Sequence, residues 1–155
     1  MPGLSDTALG DWYVNRLVVD RQPLLLLVSA TSLLPILVPA RDVRGLPERL
    51  PGLVERRLQG FGLDGVVIGA EARVMRDVLV APTVDRSVLG IMVDFAKAVS
   101  WYLEPGQWTD ATLPMVEDRL AETPCRASQR AERLAFPDRK APELLRQKWA
   151  TRTIH

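Results

Sequence analysis

The sequence predicts an α+β fold: a small, mostly antiparallel four-stranded sheet with helices packed on it. Three observations carry this. Three apolar, β-rich runs follow one another within the first 40 residues, joined by connections short enough to make neighbours antiparallel. Apolar residues at helical spacing dominate the chain after them. And 155 residues, 47% hydrophobic, suffice for one well-buried core.

The first run, residues 12–20, carries Trp12, Tyr13, Val14, Val18 and Val19 and ends at Asp20-Arg21-Gln22-Pro23, a turn composition. The second, Leu24-Leu25-Leu26-Leu27-Val28, is apolar at every position, which predicts a central strand covered on both faces. In the third, residues 33–38, Pro35 and the following Pro39 lack backbone donors and suit an edge. Together the runs make an N-terminal three-stranded meander. Residues 22–40 carry no charge, the length of a transmembrane helix. Pro23, Pro35, Pro39 and the polar break Ser29, Thr31 and Ser32 argue instead for two buried strands. No membrane association is expected, no secretory leader is visible at Met1-Pro2-Gly3-Leu4-Ser5-Asp6, and a cytoplasmic location is expected.

A helix is expected to begin near Leu50 or Pro51, because proline is tolerated in a first turn and not in an interior. Leu50, Leu53, Val54, Leu58 and Phe61 would face inward, with Glu55, Arg56 and Arg57 largely opposite. Gly60 or Gly62 closes it. A second short helix over residues 66–76 turns Val67, Ile68 and Met75 inward; a strand at 65–68 is its alternative. Residues 78–81 read as the fourth strand. The clearest helix spans residues 86–103, with Val88, Ile91, Met92, Phe95, Val99 and Tyr102 as its stripe and Asp85 or Ser87 as cap. Another fits residues 113–121, and a last helical piece residues 143–149. The organisation is then a single α+β domain over residues 1–125 and a basic C-terminal tail over 126–155, docked or partly mobile. The body carries twelve Lys and Arg against sixteen Asp and Glu, a net −4; the tail carries eight against three, a net +5. Such an asymmetry suits an anionic partner or simple self-neutralisation.

Composition removes much chemistry. One cysteine, Cys125, excludes an internal disulfide, and one histidine, His155, excludes Ser-His-Asp and Cys-His nucleophilic sites. Ser87, Cys125 and Glu71 each lack an imidazole partner, so no catalytic residue is assigned, and no cofactor or metal is expected. Gly60-Phe61-Gly62-Leu63-Asp64-Gly65 fits the dinucleotide fingerprint in spacing but follows a predicted helix rather than a strand, so it reads as a helix-ending turn. The segment from Thr83 to Gly90 lies between a strand and a helix N-terminus, where unpaired amides favour an anion; Asp85, Arg86 and Ser87 are its candidate ligand residues, with an ordinary helix cap as the competing reading. Asp11, Trp12 and Asn15 set polar groups beside aromatics. Glu71, on an apolar helix, reads either as a buried acid paired with Arg86 or Arg16 or as a solvated side chain.

Leu9-Gly10-Asp11-Trp12-Tyr13, then Leu33-Leu34-Pro35 with Val38-Pro39-Ala40, Glu71 with Met75, Asp85-Arg86-Ser87-Val88-Leu89-Gly90 and Thr123-Pro124-Cys125 together resemble a family of uncharacterised bacterial proteins, a domain of unknown function. The resemblance spans about residues 9–125. It implies a small cytoplasmic protein of the kind found in mobile or defence-type gene neighbourhoods, and it brings no activity or cofactor. It also implies that Asp11, Trp12, Asn15, Glu71, Arg86 and Ser87 form one shared site. The function expected is a non-enzymatic protein-binding or regulatory module, such as one partner of a toxin–antitoxin or phage-defence pair. The alternatives are an anion- or nucleotide-binding domain at Asp85–Gly90 and nucleic-acid binding through the tail, whose candidate partner contacts are Arg126, Arg130, Arg133, Lys148 and Trp149. Oligomeric state is not readable from these residues.

Overall fold

A computed structural model describes residues 7–19, 21–42, 44–75, 78, 80–82, 86–102, 112–123 and 136–150. The β-rich opening forms the expected meander. Strand β1 (Trp12–Val19) pairs antiparallel with β2 (Gln22–Ser29), and β2 pairs antiparallel with β3 (Pro35–Pro39). A two-residue strand, β4 (Val80–Ala81), joins β1 in parallel beside Trp12 and Tyr13. The order β3-β2-β1-β4 places the all-apolar β2 in the interior and proline-bearing β3 at an edge. The uncharged stretch is therefore two strands, and no helix among the described residues is long and apolar enough to cross a membrane.

Alternation along β2 divides the core into two layers, because successive side chains point to opposite faces. On one face Leu25 and Leu27 join Leu9, Trp12, Ile36 and Val38 beneath helices α1 (Leu46–Gln59), α2 (Gly65–Arg73) and α5 (Pro137–Leu145). On the other, Leu24, Leu26 and Val28 join Leu17 and Leu37 beneath α3 (Arg86–Tyr102) and α4 (Leu113–Ala121). A buried leucine is worth roughly 1.5–3 kcal/mol over an exposed one, so five consecutive apolar residues demand cover on both sides.

Two helices begin earlier than their prolines suggest. Helix α1 starts at Leu46, with Pro51 in its interior, and α5 starts at Pro137, with Pro142 in its interior. In both, the proline is the sixth residue and forfeits one backbone bond near the start. Burial of Leu46 and Leu50 one turn apart, and of Ala141 and Leu145, offsets that loss. Helix α2 is a helix rather than a strand, capped by Asp64, whose Oδ1 accepts the Val66 N–H at 2.9 Å. The glycine-rich Gly60–Gly65 segment joins α1 to α2, with Gly62 at a φ of +68, so the strand a dinucleotide site requires does not precede it. After α5 the chain continues into a π-helical turn, Arg146–Ala150, which buries Trp149 against the first layer.

Candidate functional site

Thr7–Gly10, just before β1, is stitched down by side chains rather than by a strand partner. The carboxylate of Glu71, on α2 and 1% exposed, accepts the Ala8 N–H at 2.8 Å and the Leu9 N–H at 3.0 Å. The Leu9 carbonyl accepts from Ser29 Oγ at 2.7 Å, and the Ala8 carbonyl from Thr31 Oγ1 at 2.9 Å. All four backbone polar groups of this dipeptide are thus held by side chains of α2, of the end of β2 and of the turn after it, which allows Leu9 to enter the core fully. Gly10, at a φ of +70, turns the chain into β1; a Cβ there would meet Thr31 Cγ2 at 3.0 Å. A third donor reaches Glu71 from the far end of the chain: Trp149 Nε1 at 2.8 Å. One carboxylate therefore ties together the N-terminal segment, α2 and the C-terminal turn. Neutral N–H groups occupy both of its oxygens, an arrangement that fastens these segments together.

A second buried acid closes the β3 edge. Glu117, on α4, accepts the Leu37 N–H at 2.8 Å. Beside it Arg57, only 4% exposed, donates from Nε to the Pro35 carbonyl at 3.1 Å, from Nη1 to Asp118 at 2.8 Å and from Nη2 to the Glu117 carbonyl at 3.1 Å. Its guanidinium also lies 5.0 Å from the Phe61 ring centroid. Arg56 reaches the Glu117 carboxylate at 3.3 Å from a half-exposed position. Burial pushes the Glu117 carboxyl above its ordinary range; Arg56, the Leu37 amide and Arg57 pull it back only in part. A cleft of about 260 Å³ opens here between α1 and α4, with Leu37, Pro39, Leu53 and Leu113 on its walls and Arg49 and Arg56 at its polar side. Among the described residues no group of three or more His, Cys, Asp or Glu side chains is placed to hold a metal.

Residues 2–140 match the family model of a domain of unknown function, DUF6933. The chain belongs to this family. No curated protein and no solved structure matches it. The matched DUF6933 region holds the Ala8–Leu9 segment, Glu71 and the Glu117–Arg57 pair, while Trp149 lies beyond it.

Of the residues grouped on the family resemblance, Trp12 lies in the core layer beneath α2, which carries Glu71, three residues after the Leu9 whose N–H Glu71 accepts. Trp12 is 1% exposed, and its indole N–H finds no hydrogen-bond partner among the described residues. Asp11 is half-buried, its carbonyl accepting the Ala30 N–H at 2.8 Å. Asn15 is exposed further along β1. Arg86, exposed, and Ser87, half-buried, open α3, which packs on the opposite face of the sheet from α2. Glu71 accordingly takes its partners from amides and an indole, not from the arginines Arg16 and Arg86 considered for it. In the tail, Trp149 is buried and Lys148 lies 5.3 Å from its ring centroid. Asp85, Arg126, Arg130 and Arg133 fall outside the described residues, as do Cys125 and His155. Sequence reasoning passed over Ser29, Thr31, Glu117 and Arg57. Arg57 carried a usable signal: it sits three residues after Val54, on the face that Leu50 and Val54 turn to the core, rather than on the solvent side expected of it.

Proposed function

We propose that the protein is a non-enzymatic protein-binding module that docks a partner on the exposed side of α3. The observation that carries this is Trp101, 85% exposed near the end of the helix. Leu89 and Val93, 42% and 41% exposed, lie on the same row of residues four apart, with Lys97 between them and Trp101. Apolar side chains held in water along one helix mark interaction surfaces, and tryptophan is the residue most enriched at their energetic centres. The reading gains support from the two buried acids, both of whose carboxylates are occupied in fastening the fold. A paired partner, as in toxin–antitoxin or phage-defence systems, is the relationship such a surface suits.

The test is affinity capture from the native host with the full chain and with Trp101→Ala and Val93→Glu variants. The expected outcome is one stoichiometric partner retained by the wild-type chain and lost from both variants. Their melting temperatures should stay close to wild type, because surface substitutions of this kind change stability by no more than about 0.5 kcal/mol. A partner captured equally by all three chains, or by none, rejects the reading.

A further inference from the structure

The cleft at the β3 edge lies where the two core layers part. Helix α1 packs in the layer on one face of the sheet and α4 chiefly in the layer on the other. Between them β3 contributes Leu37, Val38 and Pro39 to a cleft of about 260 Å³. Successive turns of α1 supply Arg49, Leu53 and Arg56, spaced four and three residues apart and so on one face. Leu113 and Pro114 form the opposing wall, and they are the first two residues of α4. Apart from the two arginines these side chains are apolar.

Positive potential reaches the cleft from two sources. Arg56 is 45% exposed and meets Glu117 from Nη1 at 3.5 Å and from Nη2 at 3.3 Å. A tight guanidinium–carboxylate bond is shorter, roughly 2.7–2.9 Å, so Arg56 is held loosely. A guanidinium carries five N–H groups, and Glu117 engages it only through these two contacts, so donors remain for a ligand. The second source is the N-terminal end of α4, where aligned peptide dipoles favour an anion.

We propose that this cleft binds a small monocarboxylate with an apolar tail. Its carboxylate pairs with Arg56 at the N-terminal end of α4, and its tail lies against Leu37, Leu53 and Leu113. Size supports this class: a cavity of about 150 Å³ holds benzene, so about 260 Å³ suits about ten non-hydrogen atoms. Charge narrows it further. Glu117 contacts the same guanidinium, so a dianionic phosphate head would meet stronger repulsion than a monoanion.

Isothermal titration calorimetry of the full chain with octanoate tests the proposal. One site per chain is expected, with a Kd below about 1 mM. Acetate lacks the tail, octanol lacks the charge and octyl phosphate carries a second charge; each should bind at least tenfold more weakly. Arg56→Gln should weaken octanoate at least tenfold with an unchanged circular dichroism spectrum. Should the glutamine variant fail to fold, Leu53→Trp fills the cleft, leaves Arg56 in place and should block octanoate as well. No heat of binding from octanoate, equal affinity for octanol or octyl phosphate, or undiminished binding in the folded variants overturns the proposal.

Discussion

Glu71 and Glu117 are buried to the same 1% exposure, yet the chain accommodates the two acids by different physics. Among the described residues Glu71 meets neutral donors, two amides and an indole, drawn from sequence positions 62, 63 and 78 residues away. Glu117 meets one edge amide and two guanidinium groups, of which Arg56 is 45% exposed. Attraction to a half-exposed cation is weakened by water, so it does not cancel the cost of burying the carboxylate, and the Glu117 carboxyl is held above its ordinary range. The difference teaches that opposite charge is not what makes a buried acid secure. Preorganised N–H groups also bind it into the fold.

Breaking the first arrangement should have the largest effect. Glu71→Ala removes the acceptor shared by three N–H donors and is expected to cost about 3–5 kcal/mol in urea unfolding. A loss below about 1 kcal/mol would show that the N- and C-terminal segments are held by apolar burial alone. Glu117→Ala should cost less, about 2–4 kcal/mol, because Arg57 keeps Asp118 and the Pro35 carbonyl and Arg56 returns to solvent. That variant should also aggregate faster, monitored by light scattering, since the Leu37 amide is then free to pair with another chain.

Two buried tryptophans, Trp12 and Trp149, sharpen the comparison within one layer. Trp149→Phe removes a donor to a carboxylate and should cost about 2–3 kcal/mol. Trp12→Phe removes a donor that has no partner among the described residues and should cost only the lost volume, about 1 kcal/mol. Equal losses would mean that the indole–Glu71 bond contributes little. The smallest effect is a pH dependence. An acid whose folded-state pKa is raised stabilises the fold below its ordinary unfolded value, and this contribution is lost as pH rises through the folded value. Glu117→Gln should therefore gain on the wild type as pH rises from about 4 through the raised folded value. Urea midpoints that differ by the same amount across that window would reject the account.

Much of the fold was legible in local pattern. Continuous apolarity over Leu24–Val28 marked the interior strand, the prolines of β3 marked its edge, and the periodicity over residues 86–102 marked α3 almost to the residue. The helix starts were not legible, because a rule that confines proline to the first turn ignores what burial of Leu46 and Leu50 returns. Of the site, Glu71 stood out as an acid on an apolar helix. Ser29 and Thr31 registered only as a polar break, and Arg57 was read as solvent-facing although it shares a face with Val54.

By itself the sequence determined the fold class, the two-sided burial of β2, and a composition of one histidine and one cysteine. Those properties follow from composition and from periods of two and 3.6 residues, which act over neighbouring turns and pleats. Only the tertiary structure decided which donors meet Glu71, that Trp149 returns to the N-terminal segment, and that side chains of α1 and α4 close the β3 edge. Such pairings join positions some 60–80 residues apart, and no local period carries that information.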